Sequence, residues 1–435
     1  MIGQPAVGLA GVVVLLLLLL SGMPIGIALG AAGLAGLVLT LGLEPAVIKS
    51  GVLVFETMTR YELGTLPLFM LMAHLCFVAE ASRDFFNLAS RLFGHRRGGL
   101  AIASVAGCAG FGSINGSSLA TTATMGLVAV PEMRSRGYSD SLATGTVAAG
   151  GTLGQMIPPS GALIVFGIIA EQSIGALFTA AIVPGLTQML SYFLVIALLV
   201  AWRPGIAPRT DRASWAEKLA ALRGVIDIGI LVVAVTGGIV VGWVTPSEAA
   251  AVGAAGALLI CFKRGKLNRA ALRRAVEDTL RTSGLIYLVL IGALIFSAFI
   301  SVTGLTEAIG AAIAGLGFGP VATMLLVAVF LLLIGSVLDG LAMMLLTTPI
   351  LLPLVAELGL SPIWFGIFLV RAMEIGFVHP PIGMNLYVIQ GVAPEVSLAR
   401  IFKGVLPFLA ADVLHLSLLV VFPVIVLGLP QWLGQ

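Results

Sequence analysis

The chain has 435 residues, 59% of them hydrophobic and 10% charged, with a net charge of +3 and a mean hydropathy of +1.13. A soluble domain carries roughly 25% charged residues, so this composition describes a polytopic protein of the lipid bilayer. It leaves little room for a soluble domain, and so small a net charge gives no sign of a nucleic-acid partner.

Spanning a bilayer takes about 20 apolar residues. On that measure helical crossings are expected at 5–22, 24–42, 62–80, 140–171, 176–201, 223–242, 246–262, 284–303, 362–391 and 400–428. The run Val12–Leu20 has the look of a signal peptide but lacks a basic leader and continues straight into the next apolar segment, so it reads as a true membrane helix. Residues 43–61 read as a loop carrying Lys49 and Arg60, offset by Glu44 and Glu56. Segments 81–98 and 263–282 are amphipathic and basic. They read either as interfacial helices that frame a moving core or as solvated connectors.

Two further apolar stretches are interrupted at their midpoints by small and polar residues. One is 99–131, around Gly112, Ser113, Asn115, Gly116, Ser117 and Ser118. The other is 320–353, around Gly335, Ser336, Asp339 and Gly340. Each half counts about 13–15 residues, or about 20–22 Å at 1.5 Å per residue, short of a ~30 Å hydrocarbon core. Both are expected to be re-entrant hairpins, whose polar tips are tolerated only inside protein or beside a cavity.

The crossings at 140–171 and 362–391 each contain a double proline. Pro131 precedes Pro158-Pro159 by 27 residues, and Pro353 precedes Pro380-Pro381 by the same 27, so the copies lie 222 residues apart. Proline lacks an N–H and clashes with the preceding turn, so each pair breaks its helix. Pro24 matches Pro246, the GAAG at 30–33 echoes the GAAG at 253–256, and Pro184 matches Pro407 with one extra residue. The expected architecture is therefore two repeats, 1–202 and 223–435, joined by a polar linker at 203–222. Each repeat holds five crossings and one hairpin. Five is odd, so the second repeat is expected to be inverted. Two broken helices in matching halves point to a secondary transporter's binding site.

Basic residues gather at 83–97, at Arg134 and Arg136, at 203–223, at 263–281, and at Arg400 and Lys403. The crossings above put all five regions on one side, the cytoplasmic one by the positive-inside rule. Both termini are then expected outside.

The tip GFGSINGSSLATTATMG combines glycines, which let backbone approach a ligand closely, with hydroxyl and amide oxygens suited to a hard cation such as sodium. Tight packing of helices through small residues is the plainer reading. Each tip is expected to face the break in its own half, giving two cation sites with substrate between them. The expected sodium residues are Asn115, Gly116, Ser117, Ser118, Thr152, Gly154 and Gln155 in one half, and Asp339, Gly340, Gly376 and Asn385 in the other. Ser160, Gly383, Arg371 and His379 are the expected substrate contacts. Asp339 either ligates sodium or caps the half-helix that follows it. Arg371 either pairs with Glu374 at i+3 or binds a substrate carboxylate. His379 is either proton-sensitive or a hydrogen-bonded helix terminus, and Asp412 reads as a buried polar partner.

These stretches together resemble the large membrane subunit (DctM type) of tripartite ATP-independent periplasmic (TRAP) transporters. The resemblance rests on SINGSSLATTATMG, PEMRSRGYSDSLATGTVAAGGTLGQMIPPSGALIVFG, SIGALFTAAIVPGL, LDGLAMMLLTTPILLP, SPIWFGIF, EIGFVHPPIGMNLYVIQG and SLARIFKGVLPFLAAD, which cover most of the chain. It implies the elevator-type fold of the ion transporter superfamily, sodium as coupling ion and no other cofactor. It also implies a separate small membrane subunit of four helices, a periplasmic substrate-binding protein, and a place in the cytoplasmic membrane of a bacterium or archaeon. The family's sodium sites carry over to Asn115, Ser117, Ser118, Thr152, Gly154, Asp339, Gly340 and Gly376. Arg371 and His379 depart from the common pattern.

No nucleophile–base pair or metal triad is spaced on adjacent helices. The three scattered cysteines (Cys76, Cys108, Cys261) and four unclustered histidines (His74, His95, His379, His415) provide no zinc or disulfide framework. An enzyme is therefore not expected. A channel would need a continuous pore, and the paired breaks favour alternating access instead.

Overall fold

The computed structural model describes residues 4–315, 317–336, 338 and 340–434. Asp339, one of the expected sodium residues, lies outside them. Every regular element among the described residues is a helix. The first half runs α1 (Gln4–Leu20), α2 (Ile25–Leu41), α3 (Leu43–Thr59), α4 (Thr65–Val78), α5 (Ala81–Phe93), α6 (Gly99–Asn115), α7 (Ser118–Ser135), α8 (Asp140–Met156), α9 (Gly161–Ile169) and α10 (Ile174–Trp202). The second runs α11 (Trp215–Val240), α12 (Pro246–Lys263), α13 (Arg269–Thr303), α14 (Leu305–Ala314), α15 (Pro320–Gly335), α16 (Gly340–Glu357), α17 (Pro362–Val378), α18 (Met384–Val392), α19 (Leu398–Val421) and α20 (Val424–Trp432).

Among the described residues seven helices are long and apolar enough to cross a membrane, or eight when α8 and α9, bent by 42° at their break, count as one span. The apolar α1 and α2 stop at 17 residues each.

A shift of 222 residues carries α7 onto α16 and α8 onto α17 with both ends in register, and α6 and α9 onto α15 and α18 to within a residue or two. Packing follows the same rule. The pair α2–α13 is matched by α12–α4, α6–α8 by α15–α17, α7–α18 by α16–α9, and α8–α19 by α17–α10. The first of these contacts is close because glycine allows it. A Cβ on Gly26 would lie 2.7 Å from the Leu288 carbonyl, and one on Gly33 would lie 2.6 Å from Phe296 N.

Several boundaries differ from the sequence expectation. Residues 43–61 are not a loop: Gly42, at φ +91°, turns the chain directly from α2 into α3. That helix leaves Val47, Ile48, Val52 and Phe55 exposed. The basic segment 263–282 is not a separate element either. Lys263 ends α12, a short turn follows, and with no proline to interrupt Arg269–Thr303 the rest forms the first turns of the 35-residue α13. The stretch between the expected crossing at 284–303 and the second hairpin contains α14, and Pro423 divides the last crossing into α19 and α20. The linker between α10 and α11 covers only 203–214 and includes a short 3-10 turn at Pro204–Ile206. Ser214 and Glu217 form a capping box, with Glu217 accepting from Ser214 N at 2.7 Å, and this starts α11 at Trp215. The hairpin arms are 16–18 residues long rather than 13–15.

The basic regions converge on one end of the molecule. Arg91 reaches Glu217 at 2.9 Å, Arg264 reaches Asp84 at 2.5 Å, and Arg400 reaches Asp140 at 2.9 Å. Arg134 pairs with both Asp140 and Glu395. Lys266 bonds Glu80 at 2.8 Å and holds that carboxyl below its ordinary range. Arg60, at the end of the stretch read as a loop, pairs with Glu171 at 3.1 Å. Arg60, Tyr61, Glu171, Gln172, Thr245 and Ser247 are among the residues that line one cavity of about 940 Å³ there.

Candidate functional site

The first tip is built by a left-handed glycine and a capped helix start. Gly116, at φ +62°, closes α6 by donating its N–H to Gly112 O at 2.9 Å. Ser117 then opens α7 as an extended N-cap, with its Oγ accepting from Ala120 N at 3.4 Å. This tip backs directly onto the first break. A Cβ on Gly116 would lie 2.8 Å from Pro159 O, and one on Gly154 would lie 2.5 Å from Thr121 Oγ1 and 3.0 Å from Ser117 O. Gly112 approaches Gly154 too closely for any side chain. Asn115, Gly116, Ser117, Gly154 and the Pro158-Pro159 pair are thus brought together. Both Pro-Pro peptide bonds, at 158–159 and 380–381, are cis.

Gln155 sits beside this contact at the end of α8. It is 7% exposed, and its Oε1 has no hydrogen-bond partner. A buried acceptor without a partner is costly. Together with helix-end carbonyls it fits a hard cation that takes oxygen ligands. Among the described residues no three His, Cys, Asp or Glu side chains are placed to hold a metal ion, so neutral oxygens are what this tip offers. Ser160 caps α9, its Oγ accepting from Leu163 N at 3.4 Å.

The second tip meets its own break through Gly335 and Gly376. A Cβ on Gly376 would lie 2.6 Å from Gly335 O, and one on Gly340 would run into Met373 and Phe377. His379 follows α17 as its C-cap, and its Nδ1 is buried without a partner. Gly383, at φ +57°, starts α18.

Asn385 stands elsewhere than its position in the sequence suggests. Its amide donates to Ser118 Oγ at 2.9 Å and to Ala148 O at 3.0 Å, so it belongs to the first hairpin. The reason is topological. Each short helix after a break crosses to the other half's hairpin, α18 to α7 and α9 to α16. Each tip therefore packs on its own break while the two halves interlock.

Thr152 also points away from its tip. Its hydroxyl donates to Ala149 O at 2.7 Å and faces Tyr192 and Gln188 of α10 at 3.1 Å each. Its side chain is therefore committed to α10, and only its main chain is turned to the end of α8.

Arg371 is fully buried and meets Glu374 at 3.0 Å, Asp412 at 2.5 Å and His415 Nδ1 at 3.1 Å. Of the two alternatives for this residue, the structure contains the internal pair. The guanidinium has no exposed surface with which to meet a substrate carboxylate. Gln188, Tyr192 and His415 were not singled out from the sequence. The available signal was the i, i+4 pair of polar groups, Gln188 and Tyr192, on an otherwise apolar helix.

A family model described as "Tripartite ATP-independent periplasmic transporter, DctM component" matches residues 12–425. The C4-dicarboxylate TRAP transporter large permease protein DctM of Pseudomonas aeruginosa is 33% identical over 405 residues, 93% of this chain and 94% of that one. The sialic acid TRAP transporter large permease protein SiaM of Vibrio cholerae is 30% identical, covering 95% and 96%. The isethionate TRAP transporter permease protein DctMQ of Oleidesulfovibrio alaskensis is 35% identical over 91% of this chain, which spans 62% of that protein. Among solved structures, the Alcanivorax borkumensis YdaH transporter superposes with a TM-score of 0.62 over 98% of both chains at 18% identity, a likeness of fold.

Proposed function

The chain belongs to the DctM component family of TRAP transporters, and from that premise we propose that it is the sodium-driven translocating subunit of an importer for an organic acid. It works with a small four-helix membrane subunit and takes its solute from a periplasmic binding protein. It sits in the cytoplasmic membrane with both termini outside. The solute is a dicarboxylate, sialic acid or a similar carboxylate, in keeping with the relatives named for C4-dicarboxylates and sialic acid.

The observation that carries this reading is the seating of each hairpin tip on its own broken helix, with the unpaired Gln155 Oε1 at the first. Sodium binds where tip oxygens and helix-end carbonyls converge. At the first site these come from Asn115–Ser118 and Gly154–Gln155, and at the second from Gly376 with Asp339 and Gly340. Filling each site holds tip to break and completes the pocket between them, where Ser160, Gly383 and His379 face the solute. The two halves are inverted copies. The α6–α10 and α15–α20 core moves as an elevator against a frame of α1–α5 and α11–α14.

Reconstitution into liposomes with both partner proteins tests this. Uptake of the acid carried by the binding protein is expected only with an inward sodium gradient and only with all three components. Equal uptake with potassium in place of sodium overturns the coupling. Uptake by this chain alone overturns the tripartite assignment.

A further inference from the structure

Between the two breaks lies a polar network apart from the residues proposed above to hold ion and solute. Thr152 and Glu374 occupy equivalent places, each six residues before the first proline of its break, and Tyr192 matches His415 across the Pro184/Pro407 register. The network therefore straddles the axis that relates the repeats, where α8 packs on α17. From the first break, Thr152 Oγ1 accepts from Gln188 Nε2 at 3.1 Å, and the same amide donates to Tyr192 Oη at 3.1 Å. From the second, Arg371 of α17 holds Glu374 and Asp412, and donates to His415, whose Nε2 meets Thr187 of α10 at 2.9 Å. The halves join where α10 meets α19, through the Thr187–His415 bond and the edge contact between the rings of Tyr192 and Phe408.

Thr152, Gln188, Tyr192, Arg371, Glu374 and Asp412 are all 0% exposed. Water is therefore not at hand to replace a bond that one helix abandons, and a shift of α8 near its break must be taken up by α10, α19 and α17. Glu374 Oε1, Asp412 Oδ2 and Gln188 Oε1 have no partner in this arrangement, so the network has acceptors free for a second set of bonds. Two alternative bonding patterns in one packed element are what coupling between distant sites requires.

We propose that this axial network couples the two ion sites, so that sodium at one break raises the affinity of the other, with Tyr192 and Gln188 as positioning residues. The inference rests on the sodium reading above. The test is a sodium titration of the reconstituted transporter and of the purified subunit's melting temperature, for the unaltered chain, Tyr192→Phe and Gln188→Met. Tyr192→Phe removes one hydroxyl and keeps the edge contact with Phe408, whose ring centre lies 5.5 Å away. Gln188→Met keeps the side-chain length and carries the test alone if the first variant does not fold.

The expected result is a Hill coefficient above one in the unaltered chain. It falls toward one in the variants, with half-saturating sodium raised roughly fivefold, the low end of measured couplings, while the rate at saturating sodium is retained. Unchanged Hill slopes and midpoints in the variants overturn the coupling alone. A Hill coefficient of one in the unaltered chain overturns it as well. A melting temperature indifferent to sodium in every protein overturns the sodium reading, and this inference with it.

Discussion

At the scale of single residues, stability and transport turn on groups that have no room or no solvent. Arg371 faces two carboxylates at 0% exposure. Removing it leaves buried negative charge without its partner, which costs about 3–5 kcal/mol. Arg371→Met is therefore expected to lose most of its stability in detergent, read as a lower melting temperature. Arg60→Gln is expected to cost no more than about 1 kcal/mol, because its pair with Glu171 is solvent-exposed. Glycines separate in the same way. Gly154→Ala places a methyl group 2.5 Å from Thr121 Oγ1, and overpacking of this kind costs about 1–3 kcal/mol. It is expected to displace the first tip and abolish uptake. Gly229→Ala in α11 has nothing within 4 Å and is expected to leave uptake intact, with a gain of up to about 1 kcal/mol from helix propensity.

At the scale of elements, the proposed ion sites are built on the broken helices. Replacing Pro380 and Pro381 by alanine together restores the N–H groups and removes the ring clash, which lets α17 run on toward α18. The folded variant is expected to lose half or more of the sodium-induced shift in melting temperature, and an unchanged shift would remove the second break from the ion site. These breaks were legible because proline acts locally, and so was the α11 cap in Ser214 and Glu217. Other elements were not legible, each for a physical reason. The helix α3 carries Lys49 and Glu56 within an apolar run and falls below a 20-residue hydropathy criterion. No local residue marks the join between the basic turns of α13 and its apolar ones. The Arg371–Glu374 pair could be read from i, i+3 spacing, but Asp412 and His415 meet Arg371 across 41 and 44 residues, and only packing brings them there. The sequence position of Asn385 points to the second hairpin, because the crossing of α18 to α7 is a property of the whole topology.

At the scale of the molecule, α1–α4 with α11–α13 form one packed group and α6–α10 with α15–α20 another, and α5 packs on both, through α11 and through α6. Arg60 and Glu171 join the two across the cavity of about 940 Å³. Tethering Arg60→Cys to Glu171→Cys with a bis-maleimide is expected to reduce uptake at least tenfold, as relative motion of the two bodies requires. The native Cys76, Cys108 and Cys261 are buried and free, so they do not compete for the reagent. Undiminished uptake in the tethered protein would rule out that motion. The central claim is that ions at the two tip-and-break sites drive the solute across. Isotopic sodium flux in sealed vesicles holding the complete transporter measures this most directly. Sodium is expected to enter together with the acid in a fixed ratio, and Gly154→Ala to stop both. Acid entering with no accompanying sodium would contradict it.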